Sequence, residues 1–204
     1  MCDHILQDLW RKIERDFPFE EIADPLTADA AEQLEFAQSR VAIYVRRAGY
    51  EDRITQHVSQ AATPLVITGL SGMGKSSLLA SWTLQRKRRS TGDFCFLFFV
   101  GSTPQSADYV YVLKRLYAEI KRYTNIEDEI PVQPEQLIGQ LPFWLESLSI
   151  AVQSRNAQAY IVLDALDQLD GRDDAALLEW LPERLPERIH LIVSSLPGVS
   201  LDVI

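Results

Sequence analysis

Four short apolar runs constrain the fold of this chain more than any other feature of its sequence. Each run is almost continuously apolar, which is typical of strands that are covered on both faces. The runs are Leu65 to Thr68, Phe94 to Val100, Tyr160 to Asp164 and Ile189 to Ser195. Helical patterns separate them, and strands that alternate with helices favour a parallel sheet. The sequence therefore predicts an α/β fold, a three-layer sandwich with helices on both sides of the sheet.

The helical patterns define the rest of the predicted organisation. Before the first strand we expect a helix over residues 3–15 and another over 51–60. Between them we expect a helix from Thr27 or Asp29 to about Arg47 that ends at Gly49, with a last turn that is either helical or already extended. After it we expect helices over residues 75–87, 106–122, 135–153 and 173–180. We interpret residues 1–60 as a helical N-terminal lead-in and residues 61–204 as the α/β core.

Charge and composition exclude several classes of function. The 204 residues contain 20 Lys and Arg against 29 Asp and Glu, and the resulting formal charge of −9 repels a polyanion. We therefore expect no general nucleic-acid binding. The longest apolar run is far shorter than the roughly 20 residues of a membrane span, and the N-terminus does not resemble a secretory signal. We expect a cytoplasmic protein that does not enter the membrane.

A glycine-rich motif directly follows the first apolar run. Residues 69–77 read Gly-Leu-Ser-Gly-Met-Gly-Lys-Ser-Ser, which satisfies the pattern of a phosphate-binding loop between a strand and a helix. Glycines allow successive backbone amides to turn inward and hold phosphates, and the helix N-terminus adds partial positive charge. The predicted nucleotide-binding residues are Gly69, Ser71, Gly72, Met73, Gly74, Lys75, Ser76 and Ser77.

Two residues of this motif carry specific roles in the prediction. Lys75 would reach the β- and γ-phosphates as a catalytic cation, and the Ser76 hydroxyl would ligate Mg²⁺. We expect ATP rather than GTP, because the sequence contains no Asn-Lys-x-Asp signature for reading guanine.

Carboxylates follow the third apolar run. Asp164 at the end of this strand would hold Mg²⁺ through a water molecule, beside Ser76. Asp167, three residues later, would orient or deprotonate the attacking water. Each carboxylate also has a structural interpretation, Asp164 as a turn former and Asp167 as a helix N-cap. Ser194 or Ser195 at the end of the fourth strand would sense the γ-phosphate, or would simply be turn residues before Pro197.

Four blocks of sequence together resemble the NACHT-type branch of the STAND P-loop NTPases, in particular its nephrocystin-like members and those associated with WD or TPR repeats. The blocks are GLSGMGKSSLLASW at 69–82, FFVGSTPQSADYVYVLKRL at 98–116, IVLDALDQL at 161–169 and WLPERLPERIHLIVSSLP at 180–197. The resemblance implies strand order 2-3-4-1-5, a lead-in that contacts adenine, and ATP binding and hydrolysis that switch a large signalling or scaffold protein.

Three residues depart from the pattern of that family. Arg46 stands where the lead-in usually has glycine, Gln168 where glutamate often follows the acidic strand, and Leu196 where many members carry arginine. With Gln168 in that position, water activation would rest on Asp167 alone. We therefore expect slow hydrolysis.

The sequence ends before a fifth strand, which leads us to expect a core truncated on its C-terminal side. Leu65 to Thr68 would then form an exposed sheet edge that needs a protein partner or the missing C-terminal segment. The leading hypothesis is an ATP-binding, Mg²⁺-dependent NTPase module. The alternatives are a non-catalytic nucleotide-binding or interaction fragment and a small-molecule P-loop kinase.

Overall fold

The computed structural model of the chain describes residue 12 and residues 25–60, 63–170, 180–182 and 184–198. Contacts between residues divide the chain into two units, residues 1–32 and 33–204, and the second contains the sheet and every predicted site residue. Almost all of the helix predicted over 3–15 and almost all of the helix predicted over 173–180 lie outside the described residues.

Four strands form one parallel sheet. They are β1 (Leu65–Thr68), β2 (Phe94–Phe99), β3 (Ala159–Asp164) and β4 (Ile189–Ser195). Their order in the sheet is β1-β4-β3-β2, so β1 lies at one edge among the described residues. Read from the other edge, this is the order 2-3-4-1 that the family resemblance implied. The predicted α/β class with a parallel sheet is confirmed, and the arrangement is compatible with a P-loop sandwich.

Five helices accompany the sheet in the described part of the chain. They are α1 (Pro25–Ala42), α2 (Ala48–Gln60), α3 (Lys75–Arg89), α4 (Tyr109–Thr124) and α5 (Pro134–Ser154). Short 3₁₀ turns occupy Gln105–Ala107 and Leu166–Gln168. None of the described helices combines the length and the apolar character needed to cross a bilayer.

The sequence left open whether the last predicted turn of α1, up to about Arg47, is helical or extended, and the structure shows that it is not helical. The helix ends at Ala42, and the amide of Tyr44 turns back to the carbonyl of Val41 at 3.1 Å. Residues 44–47 are not helical, and Gly49 lies in the first turn of α2 instead of ending α1. The apolar pattern of the sequence continues through this turn, since Tyr44 packs against the cluster that contains Ile54 and Val58 of α2.

Alternate residues of each strand lie on opposite faces of the sheet, and helices cover both faces. One face packs against α4 and α5 in a cluster that includes Phe98, Leu163, Tyr117 and Trp144. The other face packs against α2 and α3 in a cluster that includes Ile54, Leu79, Trp82, Val162 and Ile192. Burial on both faces explains why the strand sequences are continuously apolar.

The strand register brings the chemical residues together. Because all four strands are parallel, their carboxyl ends lie at the same edge of the sheet. Thr68 lies beside Ser195, and Leu163 lies beside Val193, so the loops that follow β1, β3 and β4 leave from neighbouring points.

Candidate functional site

The glycine-rich loop connects β1 to α3 as its sequence pattern predicts. Gly72 and Gly74 have φ values of 78° and 86°, in the left-handed region where residues with a β-carbon are strained. Gly74 is the N-cap of α3, and no side chain caps this helix or places an acidic group in its first turn. The uncapped N-terminus therefore leaves backbone amides and the positive end of the helix dipole at the loop.

The ammonium group of Lys75 lies against this loop. It donates hydrogen bonds to the carbonyl of Gly69 at 2.6 Å and to that of Leu70 at 3.3 Å. Lys75 and the two serines that follow it are half-buried in the first turn of α3, whereas Ser71 and Met73 are exposed. The loop thus concentrates one fixed positive charge and several polar hydrogen atoms at the end of β1.

Asp164 is a buried carboxylate, with 3% of its surface exposed, at the carboxyl end of β3. Its Oδ1 accepts a hydrogen bond from the hydroxyl of Ser194 on the neighbouring strand β4. Burial raises the pKa of Asp164, and hydrogen bonds from Ser194 and Ser76 together with the charge of Lys75 oppose that rise. The structure therefore brings Asp164, which is far along the sequence from Lys75 and Ser76, into one site with them.

Asp167 lies in the 3₁₀ turn that follows β3. Its Oδ1 accepts a hydrogen bond from the backbone amide of Leu196 at 2.9 Å, which ties this turn to the end of β4. One oxygen of the carboxylate therefore has a structural role. The prediction that Asp167 orients a water molecule stays a prediction.

The two serines at the end of β4 have different surroundings. The Ser194 hydroxyl donates to Asp164 and accepts from the amide of Ala165 at 3.0 Å. The Ser195 hydroxyl is fully buried and has no hydrogen-bond partner among the described residues. Both serines were candidates for sensing the γ-phosphate, and the structure shows that the Ser194 hydroxyl is already bonded to Asp164.

A cavity of about 120 Å³ lies between the phosphate-loop motif and the segment that precedes α2. Its lining includes Tyr44, Arg47 and Tyr50 on one side and Met73 and Lys75 on the other. An Nη1 atom of Arg47 lies 3.5 Å from the carbonyl oxygen of Met73. The segment that the family resemblance assigns to adenine contact therefore lies beside the loop.

Glu51, in the first turn of α2, was not predicted as a functional residue from the sequence. It is 3% exposed and accepts hydrogen bonds from Arg46 on the preceding turn and from Ser81 and Gln85 on α3. A signal was present, because Glu51 shares the buried helical face of Ile54 and Val58, three and seven residues later. A carboxylate on an apolar helix face needs partners, and only the fold shows what they are.

Comparison with known proteins supports the resemblance. A family model described as Nephrocystin 3, N-terminal matches residues 46–195, which include all four strands. Nephrocystin-3 of Xenopus tropicalis is 29% identical over 148 residues, which cover 71% of this chain and 11% of that protein. NACHT domain- and WD repeat-containing protein 1 of Homo sapiens is 29% identical over 145 residues, 69% of this chain and 9% of that protein.

A third relative is a TPR repeat-containing protein of Dictyostelium discoideum, which is 26% identical over 166 residues. These residues cover 65% of this chain and 10% of that protein. The chain thus spans about a tenth of the length of these relatives. The resemblance to nephrocystin-like and NACHT-associated proteins is confirmed.

Proposed function

The chain belongs to the Nephrocystin 3, N-terminal family, and on that premise we propose that it is an ATP-binding, Mg²⁺-dependent NTPase module. The observation that carries the proposal is the meeting of Lys75, Ser76 and Asp164 at the carboxyl edge of the sheet. A glycine-rich loop, a cation on the next helix and a carboxylate on a neighbouring strand are the parts that phosphoryl transfer from a nucleoside triphosphate requires.

The phosphate-loop motif supplies the binding step of this proposal. Gly72 and Gly74 both adopt left-handed conformations, and turns of this kind allow successive backbone amides to face a bound anion. The N-terminus of α3 adds its dipole, and Lys75 would exchange its carbonyl partners for phosphate oxygens. Residues 69–77 would therefore hold the triphosphate chain.

Ser76 and Asp164 suit a magnesium ion. A hydroxyl and a carboxylate are hard oxygen ligands, and Mg²⁺ typically takes one or two such groups and completes its shell with water and phosphate. Because burial raises the pKa of Asp164, a cation beside this carboxylate would stabilise its charged form. When bound, the ion would neutralise charge that develops on the phosphate oxygens.

Asp167 is the proposed group for orienting water, and the proposal includes slow hydrolysis. The bond from the amide of Leu196 commits Oδ1 of this carboxylate to a structural contact. The same observation favours a second candidate function, nucleotide binding without hydrolysis. Release of phosphate from ATP separates the two candidates, and Asp167→Asn should reduce that release at least tenfold if the carboxylate acts on water.

Thermal unfolding with and without Mg²⁺ and ATP tests the binding step. A ligand at 100 times its Kd adds about 2.7 kcal/mol of stability, which raises Tm by about 5–11 °C in a domain of this size. Lys75→Ala should abolish this shift. Lys87→Ala is the matched control, because it removes an exposed ammonium at the other end of the same helix. A chain whose Tm does not respond to nucleotide would contradict the proposal.

The role of the larger protein is also a proposal. Names of the relatives mention TPR repeats, WD repeats and NACHT domains, and such repeats commonly form binding surfaces. We propose that the nucleotide state of this module controls a signalling or scaffold assembly. The expectation that a partner or a further segment covers β1 stays a prediction.

A further inference from the structure

Residues 43–47 connect α1 to α2, and we call them the lead-in turn. Two adjacent arginines of this turn have different partners. Arg47 lines the 120 Å³ cavity and lies near the carbonyl of Met73. The Nε atom of Arg46 instead donates to Oε2 of Glu51 at 2.7 Å. The lead-in turn is therefore attached to the phosphate-loop motif through one arginine and to α2 through the other.

Glu51 provides a fixed attachment point. Its Oε1 accepts from the hydroxyl of Ser81 at 2.8 Å, and Nε2 of Gln85 donates to both carboxylate oxygens at 3.2 and 3.3 Å. Burial alone would raise the pKa of Glu51, but the bonds from Arg46, Ser81 and Gln85 outweigh it and lower the pKa. The carboxylate is thus a charged group with donors from two elements.

The helix that carries Glu51 is also held directly on α3. The indole Nε1 of Trp82 donates to the hydroxyl of Thr55 at 2.9 Å, and that hydroxyl donates to the carbonyl of Glu51 at 3.0 Å. α3 begins at Lys75, so the helix that follows the phosphate-loop motif also fixes the carboxylate that holds the lead-in turn. Movement of the turn relative to the loop would require breaking these bonds.

We propose that Glu51 is a positioning residue for nucleotide recognition. Through Arg46 it holds the lead-in turn so that Tyr44 and Arg47 form one wall of the cavity beside the loop, and this wall contacts the nucleoside of a bound nucleotide. The inference rests on the proposed nucleotide-binding function. On this inference, breaking the Arg46–Glu51 pair weakens binding of the nucleoside and leaves binding of the triphosphate chain unchanged.

Comparison of two ligands tests this assignment. The Kd of ATP and the Kd of inorganic tripolyphosphate, each with Mg²⁺, are measured by displacement of a fluorescent ATP analogue. Arg46→Ala should weaken ATP binding about tenfold, because the lead-in turn loses the charge-assisted hydrogen bond from Arg46 to Glu51 that holds it in place. The tripolyphosphate Kd should stay within about twofold of its original value. Arg46→Lys should recover most of the loss, because an ammonium can also pair with Glu51.

Two further variants make the result decisive. Glu51→Gln should give the same selective loss as Arg46→Ala, and it avoids leaving an unpaired charge in the interior. Arg88→Ala is the control for charge, because Arg88 is exposed near the end of α3, and it should change neither Kd. Circular dichroism melting verifies that each variant is folded.

The outcomes separate the two proposals. Equal weakening of ATP and tripolyphosphate in Arg46→Ala and Glu51→Gln would overturn the positioning role, and so would unchanged affinity for both ligands. Absence of binding of either ligand to the unchanged chain would instead contradict the nucleotide-binding function itself, together with this inference.

Discussion

The two serines at the end of β4 should respond differently to replacement by alanine, since Ser194→Ala should destabilise the fold and Ser195→Ala should not. Ser194 and Ser195 are consecutive, and neither has exposed surface. The Ser194 hydroxyl bonds to Asp164 and to the amide of Ala165, whereas the Ser195 hydroxyl has no partner within the described residues. The same truncation therefore removes two hydrogen bonds in one case and a buried polar group without a partner in the other.

The expected magnitudes follow from these contacts. A hydrogen bond to a charged group contributes about 1.5–3 kcal/mol, and a buried amide left without an acceptor costs about 1–3 kcal/mol. Because Ala165 is only half-buried, we expect Ser194→Ala to lower the free energy of unfolding by about 2–4 kcal/mol. Ser195→Ala should leave it unchanged or raise it by up to about 1 kcal/mol.

Urea unfolding at pH 7 without nucleotide or Mg²⁺, followed by tryptophan fluorescence, measures both effects. The chain has four tryptophans, which supply the signal. The two variants serve as controls for each other, since they differ by one position in the same strand. Equal losses of stability, or a greater loss in Ser195→Ala, would refute the assignment of the Asp164 partner to Ser194.

The pH dependence of the same measurement tests the charge on Asp164. Burial raises the pKa of Asp164 in the folded chain, so its contribution to stability is present below the unfolded pKa and is lost as pH rises through the folded pKa. The bond from Ser194 opposes that rise, so Ser194→Ala should raise the pKa further. The loss in Ser194→Ala should therefore be smaller near pH 4 than at pH 7, and Asp164→Asn should remove this difference. A loss independent of pH would contradict the argument.

Two further predictions concern Cys95 in β2 and the glycines of two loops. Burial raises the pKa of Cys95 to about 11, so in a Cys2→Ser variant at pH 8 its thiol should react with Ellman's reagent about 100-fold more slowly than in the urea-unfolded chain, and equal rates would contradict the burial. Gly101 has φ 73°, and a β-carbon there would lie 2.2 Å from Oε1 of Gln168. Gly101→Ala should therefore cost about 1–3 kcal/mol. Gly72→Ala, with φ 78° and nothing within 4 Å of the added carbon, should cost less because it measures backbone strain alone, and an equal loss in urea unfolding would show that Gln168 does not constrain position 101.

The strands could be predicted because their sequences carry the necessary information locally. Strands of a parallel sheet that is covered by helices are largely apolar, so the near-continuous apolar runs located β1 and β4. For the lead-in turn the sequence left a helical and an extended conformation open. Its helical periodicity continues past Ala42, and the end of α1 is set by contacts of Tyr44 and Arg46 with elements that come later in the chain.

The candidate site also has one part that the sequence predicts and one part that only the fold shows. The spacing of the glycines, Lys75 and Ser76 determines the phosphate-loop motif, because a loop, its cation and its hydroxyl are adjacent in the chain. A carboxylate at the end of an apolar strand also predicted Asp164 as a member of the site. The contact of Asp164 with Ser76 depends on the register of β1, β4 and β3, which the sequence does not reveal.

The sequence by itself determined the α/β class, the strands and the residues of the phosphate-loop motif, since hydrophobic periodicity and backbone conformation act over a few neighbouring positions. Only the tertiary structure decided which serine holds Asp164, that Asp167 accepts from Leu196, and that Glu51 joins Arg46 to α3. These are hydrogen bonds between residues 5 to 30 positions apart. Their partners are selected by the packing of strands and helices, which no local pattern encodes.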